Sequence, residues 1–186
     1  MKVSVIGLGY IGLPTSALIA NCGTRVLGVD INPEIVKIIN NGKIHIVEPD
    51  LENIVFDTVS SGLFKASIKP AQADVYIIVV PTPFKDKYEP DISFVESATK
   101  DIIPLLKKGD LYIIESTSPV GTTEKMQDLI FRERPELENN LFIAYCPERV
   151  LPGNVMYELI ENDRVIGGVN EVSTKKAIRF YQKYVK

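Results

Sequence analysis

Apolar runs of strand length recur along this chain with helix-like segments between them, and that alternation narrows its possible folds more than any other feature. The runs are KVSVIGL (2–8), RVLGVD (25–30), DVYIIVV (74–80), DLYIIES (110–116) and LFIAYC (141–146). DVYIIVV is apolar almost throughout, as a parallel strand covered on both faces would be. Helical patterns fill the gaps at 10–22, 91–106, 121–132 and 171–185. INPEIVKIINNG adds another, with Pro33 at a first helical position and Gly42 as a stop. Residues 50–69 read as a helix followed by a short strand, and RVIGG (164–168) as a last strand. Such alternation over 186 residues predicts an α/β fold: one parallel sheet with helices on both sides, in a single domain. PTPFKDKYEP (81–90) carries three prolines and is expected to leave regular structure, and ERPELENN (133–140) reads as an exposed polar loop. Open parallel sheets bind ligands beyond the carboxyl ends of their strands. GLGYIG, PTP, ESTSPVG and YCPER all fall there.

Gly7, Gly9 and Gly12 form GxGxxG between the first strand and the first helix. Gly7 suits a tight turn, Gly9 lets a pyrophosphate approach the backbone, and Gly12 lets helix pack on strand. With Tyr10 and Ile11 they make a candidate phosphate-binding turn, and the predicted sheet becomes a Rossmann-like doubly wound one. Helix-start N–H groups and the helix dipole would favour the phosphates. Asp30 ends the second strand, 18 residues after Gly12. It is placed either to accept hydrogen bonds from an adenosine ribose or to cap the following helix. A 2′-phosphate beside Asp30 would be repelled by up to about 4 kcal/mol at about 4 Å with an effective dielectric near 20. The INPE that follows offers no arginine in compensation, so NAD is expected over NADP. Thr82, held between Pro81 and Pro83, either faces the nicotinamide half of the cofactor or simply forms a rigid exit turn.

The runs GLGYIGLPT, IHIVEPDL, VPTPFK, EPD, ESTSPVGTTEKM, YCPERVLPG and ENDRVIGG, in this order, resemble the nucleotide-sugar 6-dehydrogenases of the UDP-glucose/GDP-mannose dehydrogenase family. ERVLPG favours the amino-sugar branch over the UDP-glucose and GDP-mannose members. The resemblance covers nearly all the chain and implies oxidation of a sugar C6 alcohol to a carboxylate by two NAD in succession. The substrate implied is a UDP-amino sugar, and the product a precursor of surface polysaccharides. In that chemistry an enzyme cysteine holds the second oxidation as a thiohemiacetal, which becomes a thioester that water hydrolyses. Residue by residue, Thr117 matches a threonine that helps position catalytic water near the nicotinamide, beside Pro81 and Thr82. Glu148 matches a glutamate that serves thioester hydrolysis, and Arg149, Val150 and Leu151 would line the substrate. Plainer roles also fit: Thr117 as a turn cap, and Glu148 as the neutralising partner of Arg149. Ile35 stands where many relatives carry a basic residue near the ribose. His45 reads either as part of the substrate entrance or as a satisfied loop histidine.

Cys146 ends an apolar strand without a histidine near it in sequence, so it reads as a small core hydrophobe. Cys22, on the first helix beside Gly23, reads as structural. In the resembling family the nucleophilic cysteine lies in a later Gly-rich segment with a lysine and an aspartate, which these residues do not contain. The expectation is therefore an NAD-binding N-terminal domain over 1–186, without the central and C-terminal domains, and inactive alone. The resemblance implies homo-oligomeric full-length relatives and, for this chain, a weak dimer at most. A non-catalytic NAD-binding regulatory module and a β-hydroxyacid dehydrogenase domain are the competing readings. A net charge of −3 points away from nucleic acid and anionic membranes. Two distant cysteines without CxxC spacing argue against a disulfide framework and against a metal site. A strand starting within two residues of Met1 leaves no room for a signal peptide, and VYIIVV is too short to span a bilayer. The expected location is the cytoplasm.

Overall fold

The computed structural model describes residues 1–185, with the side chain of Lys87 outside the description. Seven strands form one sheet in the order β3-β2-β1-β4-β5-β6-β7. They are β1 (Lys2–Ile6), β2 (Arg25–Val29), β3 (Phe64–Ser67), β4 (Val75–Ile78), β5 (Leu111–Ile114), β6 (Phe142–Tyr145) and β7 (Gly167–Gly168). The first six are parallel, with β1 between β2 and β4, so the order reverses beside β1. That reversal opens a crevice at the carboxyl ends of β1 and β4, where doubly wound sheets place their ligands.

Two cores lie on opposite faces of the sheet. One joins the strands to α1 (Gly12–Asn21), α2 (Pro33–Asn40), α3 (Leu51–Ser60), α6 (Val155–Glu161) and α7 (Glu171–Tyr181). The other joins them to α4 (Ser93–Ile102) and α5 (Thr122–Glu133). Residues of β4 and β5 are buried on both faces, alternately feeding the two cores, which is why their sequences show no polar alternation.

Several expectations need correction. The sheet is not wholly parallel: β7 pairs antiparallel with β6, through Tyr145–Gly167 and Ala144–Gly168. Only two residues of RVIGG, Gly167 and Gly168, pair with β6. The strands also stop one or two residues earlier than their apolar runs, and 79–80 and 115–116 leave the ladder to line the crevice. The helix expected over 91–106 spans Ser93–Ile102 and tightens into a 3-10 turn at Ile103–Leu105, where Pro104 cannot donate to the ladder. The last helix ends at Tyr181 rather than 185. Helix α6 has no counterpart in the reading above. Within 81–90 there is a 3-10 turn at Asp86–Tyr88 and a bridge between Phe84 and Pro90. The stretch 133–140 is not wholly exposed: Leu137 is buried, and Arg134 Nη1 donates to Ile103 O at 2.9 Å.

Glu48 joins two distant parts of this frame. Its buried carboxylate accepts from Gly153 N at 2.9 Å and from Val155 N at 2.6 Å, so it caps α6 and ties down the PERVLPG loop. Leu151 N donates to Glu158 at 2.9 Å, so α6 also holds the loop from its own side. Removing the Glu48 carboxylate leaves two backbone donors without partners. Glu48→Ala is expected to lower the unfolding free energy by about 2 kcal/mol. It should also speed amide exchange first at Gly153 and Val155, as urea denaturation and hydrogen exchange would measure.

Candidate active site

The crevice is a cleft of about 340 Å³ whose walls come from the ends of β1, β2, β4, β5 and β6. Gly7, Gly9, Tyr10, Ile11, Asp30, Pro81, Thr82, Thr117 and Glu148 all line it. Gly12 lies at the start of α1, beneath the turn. Arg149, Val150 and Leu151 do not reach its walls; Leu151 is 68% exposed, on the loop beyond Glu148.

The turn is dictated by its glycines. Gly7 has φ +100°, and a Cβ there would stand 2.2 Å from Val79 O. At Gly12 a Cβ would lie 1.9 Å from Gly7 O, so helix and turn touch backbone to backbone. Gly9 is different: a Cβ there would meet nothing within 4 Å, and it faces open cleft. Helix α1 starts without a side-chain cap and without an acidic residue in its first turn, so its dipole end is not neutralised locally. Asp30 is tied to this turn. Its Oδ2 accepts from Leu8 N at 3.0 Å and its Oδ1 from Asn32 N at 2.9 Å. Each oxygen keeps lone-pair capacity for a further donor. Asn32, not Asp30, caps α2. Ile35 packs against the core. His45 is not satisfied: its buried Nδ1 lacks a hydrogen-bond partner. Burial holds His45 below the usual histidine value, opposed by the Asp30 carboxylate and a backbone contact to Leu8.

At the other end, Ser116 stitches β4 to β5. Its Oγ accepts from Val80 N at 2.9 Å and lies 2.8 Å from Val80 O. Thr82 Oγ1 donates to Thr117 O at 2.6 Å, which fixes the two exit loops against each other. The Thr117 side chain is exposed to the cleft.

Beneath this end lies a buried charge cluster that spacing along the chain did not reveal. Arg164 Nη1 stands 2.8 Å from Glu148 Oε2 and 3.7 Å from Glu115 Oε1. The Glu148 contact is close but poorly directed, so Oε2 makes no proper hydrogen bond. Arg164 also lies over the Tyr181 ring, 4.8 Å from its centroid. The ion partner of Glu148 is therefore Arg164, not Arg149. Arg149 gives Glu148 Oε1 only its backbone N–H, at 2.8 Å, and turns its guanidinium to Asp163 O. Glu115 accepts from Tyr181 Oη at 2.6 Å and, more loosely, from Thr15 Oγ1 at 3.5 Å. Burial pushes Glu115 up to about 7, although Arg164, Tyr181 and Thr15 pull it down; the Glu148 charge adds to the rise. Burial would lower Arg164, but the facing carboxylates outweigh it and hold the guanidinium charged. Cys146 is fully buried, and burial with the Glu115 charge pushes its thiol up to about 11, so it is no nucleophile. Cys22 is exposed at the end of α1. Among the described residues no group of three or more His, Cys, Asp or Glu side chains could hold a metal ion.

A turn of this shape, an uncapped helix start and a carboxylate at the end of β2 together fit an adenine dinucleotide. The sequence model of the UDP-glucose/GDP-mannose dehydrogenase family, NAD binding domain, matches residues 1–185. The chain belongs to the UDP-glucose/GDP-mannose dehydrogenase family. It is 53% identical, over 98% of its length, to the UDP-N-acetyl-D-mannosamine dehydrogenase of Escherichia coli K12, of which it covers 46%. It is 49% identical, over 99% of its length, to an NDP-N-acetyl-D-galactosaminuronic acid dehydrogenase of Ralstonia nicotianae, covering 45% of it. Among solved structures, the UDP-D-ManNAc dehydrogenase of Pyrococcus horikoshii superposes with TM-score 0.93 at 39% identity, over all of this chain and 45% of that one. The chain thus spans about half the length of the curated relatives it matches, and the matching half is the NAD-binding domain. Among the described residues, no helix is long and apolar enough to cross a membrane.

The raised value of Glu115 has a consequence for stability. Between pH 4.5 and about 7 the folded chain keeps a proton on Glu115 that the unfolded chain has released. Stability therefore falls as pH rises through that window, by on the order of 3 kcal/mol in all. Glu115→Gln should flatten this part of the profile of unfolding free energy against pH.

Proposed function

We propose that this chain is the NAD-binding half of a UDP-N-acetyl-D-mannosamine 6-dehydrogenase, a cytoplasmic enzyme that oxidises the sugar C6 alcohol to a carboxylate. The product is UDP-N-acetyl-mannosaminuronate, for surface polysaccharide synthesis. The observation that carries this reading is the single cleft that joins the glycine turn and Asp30 at one end to Thr117 and Glu148 at the other. Such a cleft serves a cofactor and a reacting group together, which a pure NAD sensor would not need. The high identity to amino-sugar dehydrogenases supports the substrate class.

In this assignment the first-turn N–H groups of α1 and the backbone around Gly9 hold the pyrophosphate. Asp30 accepts hydrogen bonds from the adenosine ribose and repels a 2′-phosphate. Tyr10, Ile11, Pro81 and Thr82 flank the cofactor. NAD supplies a two-electron acceptor when bound. Thr117 orients a water molecule at the far end, and Glu148 draws a proton from that water as hydrolysis proceeds. Arg149, Val150 and Leu151 present the loop to the sugar and its phosphates. The nucleophilic thiol lies outside these 186 residues.

Binding, melting and turnover measurements test the assignment. Calorimetric titration should show NAD binding to this chain, with NADP at least about tenfold weaker because of Asp30. Gly9→Val should leave the melting temperature nearly unchanged, since its side chain would point into open space, yet weaken NAD binding by about tenfold or more. The chain alone should not reduce NAD with UDP-N-acetylmannosamine. Mixed with the remaining half of a UDP-N-acetyl-D-mannosamine dehydrogenase it should do so, and faster than with UDP-N-acetylgalactosamine, UDP-glucose or GDP-mannose. Turnover by the isolated chain, or preference for another sugar in the mixture, would refute the assignment.

A further inference from the structure

We propose that Glu115 makes this domain discriminate between the two redox forms of its cofactor, favouring the oxidised, cationic nicotinamide over the reduced, neutral one in a pH-dependent way. The inference rests on the cofactor assignment above and adds a property to the same cleft.

Position comes first. Asp30 follows β2 and Glu115 follows β5, and both line the cleft. In the strand order β2-β1-β4-β5 their strands are three spacings apart, about 14 Å. A dinucleotide whose adenosine ribose sits at Asp30 extends across the crevice, and its nicotinamide half comes to the β4–β5 end.

Charge comes second. Every element packed around Glu115 contributes a facing group. Thr15 comes from α1, Tyr181 from α7, Cys146 from the end of β6, Glu148 from the loop after it, and Arg164 from the segment before β7. Burial pushes Tyr181 up, and Cys146 with it, so both stay protonated near neutrality. Arg164 stays cationic. Glu115, pushed up to about 7, is therefore the member of this group that changes charge near neutral pH. With Glu115 ionised, two carboxylates face one guanidinium and the cluster carries an excess negative charge; with Glu115 neutral, that excess is gone. The side chains of Glu115, Glu148 and Arg164 are buried, so the field of the cluster is weakly screened.

The two forms of the cofactor differ by one positive charge on the nicotinamide ring and share their adenosine half. Whatever Asp30 and His45 do at the adenosine end acts on both forms and cancels in the ratio of their affinities. An ionised Glu115 favours only the cationic ring. A reaction that uses two oxidised cofactors in succession must release the reduced one between them, and this bias promotes that exchange.

The test is to measure dissociation constants of NAD⁺ by calorimetry and of NADH by fluorescence on the 186-residue chain. The ratio of the NADH to the NAD⁺ constant should rise about fivefold between about pH 6 and pH 8. In Glu115→Gln the ratio should stay flat. Binding of NAD⁺ near pH 7 should also release more protons than binding of NADH, seen as a steeper dependence of the calorimetric heat on the buffer's ionisation heat. Should Glu115→Gln fail to fold, the wild-type ratio and proton release decide by themselves. A flat ratio in the wild type, or an unchanged slope in Glu115→Gln, overturns the inference and leaves the cofactor site standing. Absence of binding by either form overturns both.

Discussion

Everything functional in this domain depends on one backbone contact, the seating of Gly12 against the carbonyl of Gly7. A single β-carbon at position 12 would stand 1.9 Å from that oxygen, far inside any tolerable separation. Because the contact is allowed, α1 starts close to the end of β1 and its dipole end opens into the cleft. Because α1 starts there, Leu8 N can reach Asp30 and bind the turn to β2. The geometry that would receive a diphosphate is thus set by backbone, with only one side chain, a carboxylate, closing it.

The opposite end of the cleft is organised by charge. A guanidinium buried between two carboxylates is costly to desolvate and is held by the geometry of its contacts. Arg164 is steadied by the Tyr181 ring and by Leu159 O, which accepts from Nη2 at 3.3 Å. It links α7, the end of β5 and the loop after β6, so the helix that closes the first core also bears on the candidate catalytic carboxylate. The candidate catalytic carboxylate is thus part of a structural cluster, and the raised value of Glu115 there arises chiefly from burial, with the Glu148 charge adding to it.

Local patterns carried much of this into the sequence. Strands buried on both faces read as unbroken apolar runs, which is why β4 and β5 were visible, and the glycine spacing was visible because the turn needs each glycine for a different steric reason. What stayed hidden depends on long-range pairing. Glu148 and Arg149 are neighbours in sequence, and adjacency suggested an ion pair; in space the partner is Arg164, while Arg149 points to Asp163 O. Glu115 sits inside ESTSPVG as an ordinary charged residue until Tyr181, 66 positions later, closes over it. Helix α6 is seven residues long and begins just after a Pro-Gly pair, where local signals favour a turn. Its cap comes from Glu48, too distant for any pattern to reveal. The antiparallel β7 consists of two glycines, which show no strand preference.

That cap also bears on the order of assembly. Glu48 meets Gly153 and Val155 across 105 and 107 residues. Closing so wide a loop is entropically unfavourable until the intervening strands have already brought its ends together. The PERVLPG segment therefore settles late on the folding pathway, after β1 to β6 have paired, and the glycine turn, made from residues close in sequence, can form early. A nascent chain would acquire its glycine turn before the candidate catalytic carboxylate is locked in place.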